Sequence, residues 1–197
     1  MTGLALPRPG LPGLRVVELG PADAPRLQRL FEATPGYFEI VHGEPAPPGE
    51  ALSELTEEPP LALPFERRWH IGYAKADGEL AAYAGVLGGL IVPEVCHLGL
   101  FVVAGTRQGR GEGSAIYQAL EDWARGGGAA WMRLGVVQGN TPAERFWARH
   151  GFRQSRVREG MPIGARVHTV RAMFKPLAGG TPEQYLARVA RDRPEAP

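Results

Sequence analysis

LFVVAGTRQGRGEGS, residues 100–114, is the stretch that decides how this chain is read. Leu100 to Val103 form an apolar, β-branched run that reads as a strand. A short polar turn follows, then the glycine-spaced loop Gln108-Gly109-Arg110-Gly111-Glu112-Gly113, then helical periodicity from Ser114. A strand that delivers a glycine-rich loop to a helix start builds an anion site. Without Cβ atoms the backbone can approach a phosphate closely, and the first helical N–H groups have no partner within the helix. The loop predicts a phosphorylated ligand held mainly by main chain. It is not a mononucleotide P-loop, because no lysine follows the glycines. It is not the dinucleotide pattern GxGxxG either, because the sixth position counted from Gly109 is Ser114. Taken alone, the stretch also fits a ligand-free glycine turn.

A second block narrows the choice. Residues 131–152 read WMRLGVVQGNTPAERFWARHGF. Met132 to Val137 read as a strand ending at Gln138-Gly139-Asn140. Thr141 is positioned to cap a helix, with Pro142 at its first position and Glu144 completing a capping box. Gly151 supplies the residue that stops it. The pattern Q-x-x-G-x-G (Gln108, Gly111, Gly113) resembles the coenzyme A pyrophosphate loop of the GNAT superfamily of N-acetyltransferases. Asn140, Ala143, Phe146, Gly151 and Phe152 are similar to that superfamily's second strand–helix unit, N-x-x-A-x-x-F-Y-x-x-x-G-F. The match is close over residues 96–153 and looser elsewhere. One position departs from it: the usual tyrosine is Trp147.

The resemblance implies a mixed α/β sheet in the order β-α-α-β-β-β-α-β-α-β-β, with the strands at 96–103 and 131–137 splayed around a pantetheine arm. It implies acetyl-CoA as cosubstrate, without a metal. Main-chain groups of Gly109, Arg110, Gly111, Glu112, Gly113 and Ser114, beside Gln108, would surround the pyrophosphate. The edge of Phe101, Val102 and Val103 would run along the pantetheine, with an N–H near Val102 facing the oxyanion. Arg107 and Arg110 are candidate phosphate partners, and Asn140 a candidate cofactor contact. Trp147 can solvate the sulfur but cannot give up its indole proton.

Amine deprotonation is the larger chemical demand. An alkylammonium of pKa near 10.4 must give up a proton at neutral pH, a cost of roughly 4 kcal/mol, against about 2 kcal/mol for a thiol leaving as thiolate. His97, at a strand position resembling that of the catalytic glutamate in some family members, is the favoured general base, with a hydrogen-bonded structural histidine of the strand as the plainer reading. Glu94, His70 and Glu39 are further candidates. Residues 33–60 hold six carboxylates (Glu39, Glu44, Glu50, Glu54, Glu57, Glu58) and no lysine or arginine. In the family this region borders the acceptor, so it predicts an acidic wall for a small cationic amine, with Tyr37 and Phe38 as an aromatic lip. A solvated acidic loop is the plainer reading.

Composition bounds the rest. A chain of 197 residues, 44% hydrophobic, buries roughly 70% of its unfolded surface and suits one core. A net charge of +1 offers no excess for nucleic acid or an anionic membrane. A single cysteine, Cys96, excludes an internal disulfide and suits a reducing cytoplasm. No run approaches the ~20 apolar residues of a membrane span, and the N-terminus lacks the features of a secretory signal.

Along the chain, residues 1–13 read as a mobile Pro/Gly tail, 14–176 as the catalytic domain and 177–197 as an extension with a short helix at 182–192. Within the domain, 21–33 carry helical spacing, and 35–64 read as irregular with a short helix at 49–57. A hairpin joins 69–75 to 79–92 through Ala76-Asp77-Gly78. Two strands are expected near 153–157 and 166–174. The expected function is acetyl transfer to a primary amine. A protein acceptor and a non-catalytic acyl-CoA-binding module are the alternatives. The sequence leaves the oligomeric state open, a homodimer included.

Overall fold

The computed structural model describes residues 4–58 and 63–196. Seven strands form one mixed sheet: β1 (Arg15–Glu18), β2 (Arg67–Ala74), β3 (Leu80–Gly88), β4 (Val95–Val103), β5 (Trp131–Val137), β6 (Arg153–Ile163) and β7 (Arg166–Pro176). Their spatial order is β1-β2-β3-β4-β5-β7-β6. The helices are α1 (Ala24–Glu32), α2 (Pro35–Val41), α3 (Glu50–Thr56), α4 (Glu112–Gly126), α5 (Thr141–Arg149) and α6 (Pro182–Arg188). The class is the expected mixed α/β sheet. α2, read from the sequence as irregular, is an addition. The β2–β3 hairpin turns through Ala76-Asp77-Gly78 as expected, with the Gly78 N–H on the Lys75 carbonyl at 3.0 Å and Gly78 at φ 90°.

Every residue of β3 is buried, as a central strand covered on both faces should be. One face packs on α4 and α5 through Trp69, Ile71, Ala84, Ile116, Leu120 and Trp147. The other packs on α1, α2 and α3 through Leu27, Phe31, Phe38, Leu55, Tyr83 and Val102.

The β4–β5 ladder is short. The two strands pair in parallel from Val95↔Trp131 to Leu98↔Leu134 and no further. Beyond that point β3 still follows β4 to Val103, and β7 still follows β5 to Val137. Gly99 is the extra residue of a bulge in β4, between Leu98 opposite Val86 and Leu100 opposite Gly85. The bulge bends β4 away, and the two strands part.

Residues 4–11 are packed, unlike the expected mobile tail, and so is the C-terminal extension. Leu4, Leu6 and Leu11 lie against the core on the α4 side. The Ala5 carbonyl accepts from Trp123 Nε1 at 2.5 Å. Gly10, at φ 74°, approaches so closely that a Cβ there would lie 2.5 Å from the Ala115 carbonyl oxygen. At the other end Tyr185 and Val189 are fully buried beside Trp131 and Phe174.

The C-terminal segment is fixed by a buried charge pair. Arg133 on β5 grips Asp192 with two parallel bonds, Nε to Oδ2 at 2.7 Å and Nη2 to Oδ1 at 2.8 Å. Tyr185 donates to Asp192 Oδ2 at 2.5 Å, and His97 Nδ1 lies 3.3 Å from Arg133 Nη1. Burial alone would push the Asp192 carboxyl up, but the hydrogen bonds and charge of Arg133 and the Tyr185 hydroxyl outweigh it and hold it below its usual range. Burial first, then Arg133, lowers His97 to about 3.

Two stability predictions follow from these shifts. Asp192→Asn leaves Arg133 charged and buried without its partner and should cost about 3–5 kcal/mol, read as a lowered Tm. Because the Asp192 pKa is depressed in the folded state, its contribution is whole at neutral pH. It fades as pH falls below about 4, so the Tm gap between wild type and variant should narrow there. His97 acts at higher pH. The unfolded chain takes up a proton near pH 6.5 that the folded chain refuses down to about 3. Stability should therefore fall as pH drops from 6.5, by about 2 kcal/mol at pH 5, and His97→Gln should flatten that slope in pH-dependent melts.

Candidate active site

A cleft of about 590 Å³ opens where β4 and β5 part. Its walls come from four places: Phe101, Val102 and Val103 on β4; the loop from Gly105 through Ser114; Asn140 and α5; and Ala33 to Ile40 around α2.

The loop is shaped by two left-handed glycines, Gly109 at φ 74° and Gly111 at φ 81°, where a side chain would be strained. Gly111 is the N-cap of α4 and has no side chain to cap it. The amides from Gly109 to Ser114 therefore have no hydrogen-bond acceptor among the described residues. Pairing resumes at Ala115, whose N–H reaches the Gly111 carbonyl at 3.2 Å. A Cβ on Gly109 or Gly111 would meet nothing within 4 Å, so the space before these amides is open. Unpaired donors at a helix start, facing open space, fit a phosphate group.

Gln108 pins this loop to the strand end, its Nε2 donating to the Val103 carbonyl at 2.8 Å. Arg107 pairs with Glu112. Ser114 Oγ lies 3.1 Å from His150 Nε2. On the opposite wall Asn140 caps α5, its Oδ1 accepting from Ala143 N at 3.3 Å, and Glu144 Oε1 accepts from Gly139 N. The cap is thus one residue earlier than the expected Thr141, because asparagine competes at least as well for that role. Trp147 is buried and lines the cleft among Phe101, Tyr117, Phe146 and Phe152.

Of the residues singled out in the sequence, Tyr37, Phe101, Val102, Val103, Gln108, Gly109, Gly111, Gly113, Ser114, Asn140 and Trp147 line this cleft. Arg110, Glu112, Glu39 and His97 do not. The correction at His97 has a clear cause. The β4–β5 ladder is still closed where His97 stands opposite Arg133, and the C-terminal segment covers both. The acidic wall is not assembled either, since none of the six carboxylates of 33–60 lines the cleft. Arg145 and Arg149 on α5 line it and were missed, although their spacing of four on a helix starting at 141 places both on one face.

A polar network stands on the α1–α3 side of the sheet, next to the parting. Tyr83 donates to Glu54 Oε1 at 2.8 Å, and His70 Nδ1 lies 2.6 Å from the Tyr83 hydroxyl. Arg68 Nη2 donates to the same Glu54 oxygen at 3.1 Å. The carboxylate sits directly over Gly85, where a Cβ would lie 2.8 Å from Oε1. Gly85 is paired with Leu100, beside the Gly99 bulge. Burial pushes the Glu54 carboxyl up, against the hydrogen bonds and charge of Tyr83 and Arg68. Burial, then Arg68, lowers His70 to about 4. Tyr37, on the cleft wall, is raised by burial and then by Glu54 and Glu50, which ties this network electrostatically to the cleft.

Residues 27–152 match the family model described as "Acetyltransferase (GNAT) family". A search of curated proteins gave no significant match. Among solved structures, an acetyltransferase from Thermus thermophilus is similar at 29% identity and a TM-score of 0.63, covering 83% of this chain and 96% of that one. The ribosomal-protein-S18-alanine N-acetyltransferase of Escherichia coli is similar at 19% identity and a TM-score of 0.61, covering 86% and 97%. The spermidine N-acetyltransferase of Vibrio cholerae, in complex with CoA and spermine, is similar at 15% identity and a TM-score of 0.63, covering 84% and 96%. The last two likenesses speak to the fold alone. With its parted strands, its uncapped glycine loop and a family match spanning both, the chain belongs to the GNAT acetyltransferase family.

Proposed function

We propose that this protein transfers an acetyl group from acetyl-CoA to the nitrogen of a small primary amine. The observation that carries this reading is the run of unpaired amides from Gly109 to Ser114, set beside the open end of the β4–β5 ladder. Those amides would hold the pyrophosphate, with Arg145 and Arg149 neutralising charge from the facing wall. The freed edge of β4 would run beside the pantetheine, and a main-chain N–H near Val102 would donate to the oxyanion.

Acetyl-CoA supplies the thioester carbonyl. Glu54, over Gly85 beside the parting and not on the cleft lining itself, would take the proton from the acceptor's nitrogen directly or through one water. Its Oε1 is occupied by Tyr83 and Arg68, which leaves Oε2 as the basic oxygen, and burial raises its proton affinity. As the C–N bond forms and the C–S bond breaks, the amine proton passes to Glu54. The departing thiolate is protonated from solvent, because Trp147 holds its indole proton. A small acceptor is favoured by the way the β6–β7 hairpin closes on α2. Ala165 N donates to the His42 carbonyl at 2.9 Å, and His168 Nε2 lies 2.7 Å from the Val41 carbonyl oxygen. A protein amine would need that seam to open.

Trp147 favours one other reading, a module that binds acyl-CoA without turnover. Thermal shift with acetyl-CoA and a thiol-release assay over an amine panel separate the two. Stabilisation together with CoA release supports the enzyme, and stabilisation without release for any amine supports the module.

Gly111→Glu places a carboxylate in the phosphate space and should abolish acetyl-CoA binding by calorimetry; undiminished affinity would show that the loop is misassigned. Glu54→Gln should lower kcat/KM by about 10²–10⁴-fold with acetyl-CoA affinity intact, and the residual rate should track the free-amine fraction as pH rises. An unchanged pH–rate profile removes Glu54 from proton transfer.

A further inference from the structure

The α1–α3 face of the sheet also carries an arginine cluster that acetyl transfer as described does not use. Directly paired strand residues share a face. Arg158 on β6 stands opposite Val170 of β7, which stands opposite Val137 of β5. Arg156 stands opposite Ala172, and Ala172 opposite Gly135. Arg133, Gly135 and Val137 alternate onto this same face of β5, which the Arg133–Asp192 pair identifies as the one the C-terminal segment covers.

Arg158 lies between two covers. Towards the hairpin tip, His168 meets the Val41 carbonyl at the end of α2. Towards the strand base, Arg156 Nη1 donates to the Arg191 carbonyl at 2.7 Å. Arg158 Nε is buried between them with no hydrogen-bond partner among the described residues. Arg191, Arg156 and Arg133 all repel its charge, and the one opposing carboxylate, Asp192, is already taken by Arg133 and Tyr185. A partly buried guanidinium surrounded by its own kind, with a donor left open, has the chemistry to bind an oxyanion.

The parting of β4 and β5 separates this cluster from the Glu54–Tyr83–His70 network on β2 and β3. The face therefore offers a proton acceptor on one side of the parting and a surplus of positive charge on the other. We propose that the amine acceptor carries an oxyanion, carboxylate or phosphate, bound by Arg158 with support from Arg191, while its amine faces Glu54. This deepens the proposed acetyl transfer and rests on it. It departs from the purely cationic small amine expected from the acidic composition of 33–60, none of whose carboxylates lines the cleft.

The test uses the full chain, its Arg158→Met variant and matched probes: α- and ω-amino acids of increasing spacer against alkylamines of equal length, and O-phosphoethanolamine against ethanolamine. CoA release is measured with acetyl-CoA, and thermal shift is measured with CoA and each probe. In the wild type the oxyanion-bearing member of at least one pair should be favoured at least tenfold in kcat/KM. The amino-acid and phosphoethanolamine arms identify which oxyanion it is. Arg158→Met should erase that preference by raising KM for the anionic member alone, with kcat and the alkylamine kinetics unchanged. Equal use of both members by the wild type, or an equal loss for both in the variant, overturns the proposal. A thermal shift that depends on Arg158, with no CoA release from any probe, would support the oxyanion site and refute acetyl transfer. CoA release without anionic preference would do the reverse.

Discussion

Strand pairing that stops partway is the constraint from which the site is built. A sheet gains by continuing its ladder, and β4 and β5 are both long enough to pair beyond Leu98 and Leu134. They do not, because the extra residue at Gly99 throws β4 out of register while β3 and β7 hold the outer sides of the two strands. Main-chain groups beyond the bulge are left facing a gap. Unmet backbone donors and acceptors are costly unless water or a ligand satisfies them, so the gap is intrinsically a place for an extended polar chain. The amides at the start of α4 repeat this logic a few residues later, with glycine at the cap position in place of a side chain that would have satisfied them.

Much of this was legible in the sequence. The glycine spacing of 109–113 and the block from Asn140 to Phe152 specify local backbone, and local backbone is what short-range patterns encode. The glycine-loop residues that line the cleft were found for that reason. The polar network beside the parting was not foreseen, because it depends on residues far apart in the chain. Glu54, Tyr83 and His70 meet through three elements, and only the missing side chain at Gly85 makes room for the carboxylate. His97 had the right chemistry at a plausible strand position, but it stands where the ladder is still closed and under a segment nearly a hundred residues later. Its burial is a tertiary fact that β4's own pattern cannot carry.

The two chain ends show a similar limit. Proline and glycine in residues 4–13 suggested mobility, yet Gly10 is there because α4 passes too close for any side chain. In the C-terminal segment the decisive residue is Asp192, an ordinary surface type until paired with Arg133. Charged residues almost never go fully underground unless they are matched, and nothing in a single sequence announces the match.

The position of the gap also bears on self-association. Unpaired ladder groups are usually a hazard when they lie along a sheet's rim, where another chain can dock side-on and extend the sheet. Here they lie inside the sheet, flanked by β3 on one side and β7 on the other. A slender substrate arm can enter such a slot, whereas a neighbouring molecule's strand, with side chains on both faces, would have to displace the packed helices first. The gap thus keeps hydrogen-bonding capacity open without adding a further exposed edge to the two rim strands, β1 and β6.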